Sequence, residues 1–218
     1  MSDLTRHDGG PPAARRRLGA DRERGLLLVA AMAAVMWVVE ALDAAGAHLD
    51  RNGIVPRSGG GLDGVLWAPF LHGSWGHLAG NTVPFLVLGA LIALSGLARV
   101  AAVTVLVAVV GGLGVWLVAP SNTVHIGASG LVFGYAGYLV ARGIFSRSVL
   151  HLAVGAAVAL VWGTTLLSGL VPHDGISWQG HLFGALGGVL AARLLAPRPA
   201  ERRPAAPDPP ATLRPNAV

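Results

Sequence analysis

The sequence predicts an all-α, polytopic membrane protein, and three observations carry that prediction. Hydrophobic residues make up 53% of the 218-residue chain and charged ones only 12%, roughly half the charged share of an ordinary soluble domain. The apolar residues gather into six runs, each near the roughly 20 residues that a helix needs to cross a bilayer. Glycine is frequent, at 31 residues, and much of it lies inside these runs, where small residues let membrane helices approach one another closely. The chain has no cysteine, which excludes disulfides and thiolate metal sites.

Taken in order, residues 1–24 are polar, with Arg15-Arg16-Arg17 and Asp21-Arg22-Glu23-Arg24, and are expected to form a disordered tail. The membrane domain is placed at 25–196, with spans at about 25–45, 77–97, 99–119, 128–145, 148–171 and 177–196. The first is read as a retained span. Ala45-Gly46-Ala47 loosely resembles a signal-peptide cleavage site, but Glu40 and Asp43 interrupt its approach and the charged region before it is long. The loop 46–76 carries Gly59-Gly60-Gly61 and then Val65 to Leu71, apolar yet too short to cross, so it is expected to lie in the interface. The tail 197–218 holds seven prolines and reads as a disordered linker.

Orientation follows from charge. All 16 positive residues are arginine, and an inside N-terminus puts 14 of them on the inner side, leaving only Arg51 and Arg57 outside. The pI near 11.2 therefore reflects topology and not a nucleic-acid partner. Trp67, Trp75, Trp116 and Trp178 fall at or beyond the outer ends of spans, where aromatic belts form. A multi-pass protein of the cell membrane with both termini cytoplasmic is the expectation.

Ionisable residues inside apolar segments are costly and mark function. His181 sits in such a segment, and Gly127-Ala128-Ser129-Gly130 opens another. Even-numbered spans run inward here, so Ser129, His181 and Asn81 all fall near the outer leaflet. A serine hydroxyl becomes a nucleophile when a neutral imidazole takes its proton. The ordinary alternative, a small-residue helix contact with a polar interhelical bond, uses the same residues. His181, Gly184 and Gly188 share one helix face, and Gly130 and Gly134 form a small-xxx-small pair, so close packing would bring the two short side chains together. Asp174, in an outer loop, is the one acidic residue near either motif, so a dyad is expected and not a triad. His77 and Asn81, at i and i+4, present two donors suited to an oxyanion. His72 is read as structural, bonding the loop to the start of the helix.

His72, His77, His125, His173 and His181 could all approach the outer face as metal ligands. No H-E-x-x-H pattern or recruited carboxylate accompanies them, and no metal is expected. His48, His125 and His173 are read as interfacial loop residues, and no role is assigned to His151.

In order across six spans, His72-x4-His77-x3-Asn81, Gly127-x-Ser129-Gly130 and His181-x2-Gly184 resemble the rhomboid intramembrane serine proteases. Gly53-Ile54-Val55-Pro56-Arg57 and Pro69-Phe70-Leu71-His72 also resemble the first loop of many bacterial members. The resemblance covers roughly residues 25–195. It implies a six-transmembrane-helix rhomboid-like bundle whose short fourth helix leaves a water-filled cavity open outward. Ser129 would be the nucleophile and His181 the general base. His77, Asn81 and the Ser129 backbone N–H would form the oxyanion hole, with Gly127 on the strand leading to the serine. Substrates would be single-span membrane proteins, cut at small residues near the outer interface, with no cofactor. One position departs from the pattern: many members carry tyrosine four residues after the serine, where this chain has Phe133. Stacking on the histidine needs only a ring face. Two other readings compete: a catalytically silent membrane chaperone of the same fold, which would lack the serine or the histidine, and a small metal or proton transporter, which would show inverted repeats.

Overall fold

The computed structural model describes residues 12–173 and 175–196. Asp174, the tail 197–218 and residues 1–11 lie outside them. Six long helices follow one another: α1 (Pro12–Leu42), α3 (Trp75–Ala93), α4 (Leu97–Val118), α5 (Ser129–Ser146), α6 (Val149–Gly169) and α7 (Trp178–Leu194), with a one-turn helix α2 (Gly64–Trp67) in the loop after α1. Among the described residues the only β pairing is an antiparallel bridge between Ile54 and His125.

The start of α1 corrects the sequence reading. The expected tail 1–24 is helical from Pro12 onward, so the charged stretch at Arg15–Arg24 continues the span as an exposed helix. The reason is local: proline is tolerated in the first turn, and alanine, arginine and leucine are strong helix formers. Further along, Gly25, Val29, Ala33, Met36 and Glu40 are buried at spacings of three and four, the stripe that faces α3 and α4.

By length and composition four helical stretches can cross a membrane: Arg15–Ala47, Trp75–Ala93, Leu97–Val118 and Val149–Gly169. The shorter helices α5 and α7, of 18 and 17 residues, do not join them. These two pack most extensively on each other, with α4 and α6 against them, so they present less side-chain surface to lipid and need less apolar cover. Glycine makes their contact close. A Cβ at Gly184 would collide with the Gly130 carbonyl, and one at Gly188 with the Gly134 carbonyl. Around this pair the core is filled by Phe85 and Leu88 of α3, Val103 and Val107 of α4, and Tyr135 and Tyr138 of α5. The Tyr135 hydroxyl is 2.6 Å from Thr104 Oγ1, so it enters the core hydrogen-bonded.

Connections gather at two ends of the bundle. At one end Arg57 donates to the Leu117 carbonyl, 3.1 Å, and to Ser121 Oγ, 2.6 Å, while Trp116 Nε1 donates to the Ser58 carbonyl, 2.9 Å. At the other end Arg142 donates to Ser95 Oγ, 2.8 Å, and Arg99 to the Leu195 carbonyl. The apolar loop segment forms α2 and a 3-10 turn, with Val65, Ala68 and Leu71 buried and Leu66 and Trp67 exposed. It packs on α4 at the first end, where Val65 fills the space a Cβ on Gly112 would need.

Candidate active site

At the first end a partly open cleft of about 760 Å³ is lined by His77, Asn81, Ser129, Phe133, Gly169 and His181 among others. It brings together every residue that the sequence singled out for chemistry. Each owes its place to a helix terminus. Ser129 is the first residue of α5. His77 and Asn81 stand in the first two turns of α3, which Ser74 caps by accepting the His77 N–H at 3.2 Å. His181 is in the first turn of α7, capped by Ser177 through the Gly180 N–H at 3.2 Å.

The segment entering α5 has a conformation that only glycine tolerates well. Gly127 has φ +116°, in the region disfavoured for residues with a Cβ. A Cβ there would also lie 2.8 Å from His77 Nε2, so the imidazole packs directly on the glycine. Successive backbone donors are then assigned. Gly127 N–H donates to the Ala68 carbonyl, 2.8 Å, and Ala128 N–H to His72 Nε2, 3.3 Å. The Ser129 N–H, at the helix start, has no partner among the described residues. It is free to bind a ligand oxygen, and the helix N-terminus favours negative charge there.

His72 therefore acts differently from the sequence expectation. Its ring does not bond the loop to the start of α3; it accepts from the Ala128 N–H, directly before Ser129. The proton consequently sits on Nδ1. Burial, and secondarily the nearby His77 ring, push its pKa down to about 4, which keeps Nε2 an acceptor at neutral pH. The His72 and His77 rings meet edge to face with centroids 5.1 Å apart.

His181 is buried, 7% exposed, and its Nδ1 lies 2.7 Å from the Gly169 carbonyl. A carbonyl only accepts, so Nδ1 carries a hydrogen, and in the neutral ring Nε2 then holds the lone pair. That is the tautomer a general base requires. Phe133 stacks flat on the imidazole, centroids 4.0 Å apart and planes 5° from parallel. No hydrogen bond joins Ser129 to His181 among the described residues; they share the cleft. Asn81 is 8% exposed, and its Nδ2 donates to the His77 carbonyl at 3.1 Å, leaving a second N–H.

Two contributors escaped the sequence reading. One is the Gly169 carbonyl, a backbone group that no sequence pattern marks. The other is His125, read as an interfacial loop residue, whose ring bonds Thr123 and Ser177. His173 also lines the cleft, and His48 stays in the loop after α1, at the left-handed end of its last turn. His151 sits at the opposite end, 2.9 Å from Ser146 Oγ.

Fold and cleft define a helical membrane protein with a serine, a histidine and several hydrogen-bond donors facing one cavity. The rhomboid domain model matches residues 61–198, the stretch that holds α2 to α7, and the chain belongs to the rhomboid family. An uncharacterized protein of Mycobacterium bovis is 45% identical over 173 residues, covering 75% of this chain and 72% of that protein. One of Mycobacterium leprae is 43% identical, over 75% and 68% respectively. Bacillus subtilis YdcA, whose name marks it as a candidate rhomboid protease, is 28% identical over 76% of this chain and 85% of its own. No solved structure matches the chain.

Proposed function

We propose that this protein is an intramembrane serine endopeptidase that cuts single-span membrane proteins near the outer interface, using Ser129 and His181 as a dyad. The observation that carries the reading is the way His181 is held. Its Nδ1–H is held by the Gly169 carbonyl, which leaves Nε2 as the acceptor in the cleft that Ser129 lines. Catalytic hydrogen bonds are commonly long in the unliganded state and tighten when substrate binds.

In the reaction the Ser129 oxygen attacks the scissile carbonyl carbon while its proton passes to His181 Nε2. The negative charge that develops on the carbonyl oxygen is met by the Ser129 N–H, the free Asn81 N–H and the His77 ring. Collapse breaks the C–N bond, and the imidazolium returns its proton to the leaving amine. Water, deprotonated by the same histidine, then releases the acyl group from Ser129. The Gly169 carbonyl holds the imidazolium in place of a carboxylate. None of these steps calls for a cofactor.

The proposed setting is the cell membrane, with six crossings and both termini in the cytoplasm. The arginines support it: Arg51 and Arg57 belong to the cleft end, whereas Arg99, Arg142, Arg147 and Arg193 belong to the other. So do Trp67, Trp75, Trp116 and Trp178, which all stand at the cleft end. Substrate helices would thus meet the site from the outer leaflet. The test is a serine-reactive fluorophosphonate on purified protein. One adduct, mapped to Ser129 and absent from His181→Ala, supports the reading. An unlabelled wild type contradicts it and favours a silent relative.

A further inference from the structure

His125 lies four residues before Ser129 and outside the dyad and the proposed oxyanion donors, yet three segments meet on it. Its backbone makes both hydrogen bonds of the bridge to Ile54, at 2.9 and 3.0 Å. Its ring spans two hydroxyls: Nε2 is 2.8 Å from Thr123 Oγ1 and Nδ1 is 2.7 Å from Ser177 Oγ.

The proton directions in this chain are determined. Thr123 donates its hydroxyl hydrogen to the Pro120 carbonyl, 2.6 Å away, so its oxygen can only accept from His125. The ring hydrogen is therefore on Nε2. A neutral imidazole has one N–H, so Nδ1 accepts from the Ser177 hydroxyl, whose oxygen in turn accepts the Gly180 N–H at 3.2 Å. Every donor is used once. Burial lowers the His125 pKa, in keeping with a neutral ring.

We propose that His125 is a positioning residue for the dyad. It fixes the segment 123–128, which delivers Ser129, to the N-cap of the helix that carries His181. Elsewhere α5 and α7 meet through glycines (Gly130 on Gly184, Gly134 on Gly188), which set how close the helices lie but give little resistance to sliding. The His125–Ser177 bond is, among the described residues, the one side-chain hydrogen bond between these two segments. It acts where a small displacement changes the Ser129–His181 distance.

This inference rests on the protease reading, and the experiment separates the two. Wild type, His125→Ala, His125→Gln, Ser177→Gly, Ser177→Thr and the His125→Ala/Ser177→Gly double variant are assayed on a single-span reporter in liposomes. Rates are expressed per Ser129 titrated by fluorophosphonate, so misfolded protein drops out. Ser177→Gly removes both the bond to His125 and the cap bond to the Gly180 N–H, but glycine at an N-cap costs little helix stability. The expected result is a fall in kcat of about 10- to 100-fold for His125→Ala and Ser177→Gly, since a misplacement of about 1 Å can cost that much. KM should change less than about twofold, as uniform binding is untouched. The double variant should be no worse than the poorer single one, Ser177→Thr should keep wild-type kcat, and His125→Gln should fall between. Wild-type kcat in His125→Ala, additive losses in the double variant, or a loss confined to KM would each overturn the proposal. A wild type that neither labels nor cleaves overturns the protease reading, and the role of His125 with it.

Discussion

Phe133 lies flat against the imidazole of His181, and both press on one glycine. A Cβ built on Gly169 would sit 2.5 Å from Phe133 Cζ and 3.0 Å from His181 Nδ1, while the Gly169 carbonyl accepts the His181 Nδ1–H. The end of α6 thus fixes ring plane, tautomer and stacking partner together. Gly169→Ala should displace both rings and lower kcat by at least about 10-fold, within the range for a shifted catalytic group, with a smaller change in KM. Phe133→Ala should lower activity and the thermal midpoint together, because the stacking and its buried area are both lost. Phe133→Tyr keeps the ring but adds a hydroxyl where Cζ faces Gly169, so it should fall between wild type and Phe133→Ala. Full activity in Gly169→Ala would show that this contact does not position the base.

The glycine faces of α5 and α7 make a separate prediction about stability. Gly184→Ala and Gly188→Ala each place a methyl group against a backbone carbonyl of α5, which cannot move aside as a side-chain tip can. Each should destabilise the protein by about 1–3 kcal/mol, the usual cost of overpacking. Gly163→Ala on α6, which meets nothing within 4 Å, should be neutral or slightly stabilising, as alanine is the better helix former. Thermal unfolding in detergent checks all three, and equal midpoints would contradict the packing described.

How far these features were legible in the sequence depends on the kind of signal each one leaves. The six long helices stand out because their apolar runs have bilayer-like lengths, and the structure moves most boundaries by only a few residues. Ser129, His181 and Asn81 were visible because polar groups are expensive in apolar segments. The helical start at Pro12 is hidden in the sequence because dense charge reads as disorder, although the same arginines are good helix formers. The partner of His72 is not legible because its acceptor role depends on the Ala128 N–H, 56 residues away. The Gly169 carbonyl carries no sequence signature at all. His125 looked like any loop histidine, since its partner Ser177 is 52 residues further on.

Asn81→Ala should separate binding from catalysis. Removing an amide donor that matters once negative charge develops lowers kcat by about 10²–10³, less whatever His77 and the Ser129 N–H cover, with KM nearly unchanged. Steady-state kinetics on a single-span reporter decide it. A loss in KM alone would move Asn81 from oxyanion binding to substrate contact.

Acid should weaken the fold through His72. The folded pKa near 4 lies below the ordinary value of 6.5, so between those pH values the unfolded chain binds more protons. Stability is then full above about pH 6.5 and falls as pH drops toward 4. Half-buried His125, whose pKa burial also lowers, contributes in the same direction. Thermal midpoints in detergent at pH 7, 6 and 5 should decline. The decline should be shallower in His72→Gln, whose amide oxygen can still accept the Ala128 N–H but does not titrate. An unchanged slope in that variant would contradict the neutral, acceptor role of His72.

The central claim is that Ser129 and His181 act as one catalytic unit on a peptide bond within a membrane-spanning substrate. Its most direct test is cleavage of a single-span reporter in liposomes by the wild type, Ser129→Ala, His181→Ala and the double variant, each verified as folded by its thermal midpoint. The account predicts cleavage by the wild type, loss in both single variants, and no further loss in the double, because groups that act as a unit are non-additive. Substantial cleavage by folded Ser129→Ala, or by folded His181→Ala, would contradict it.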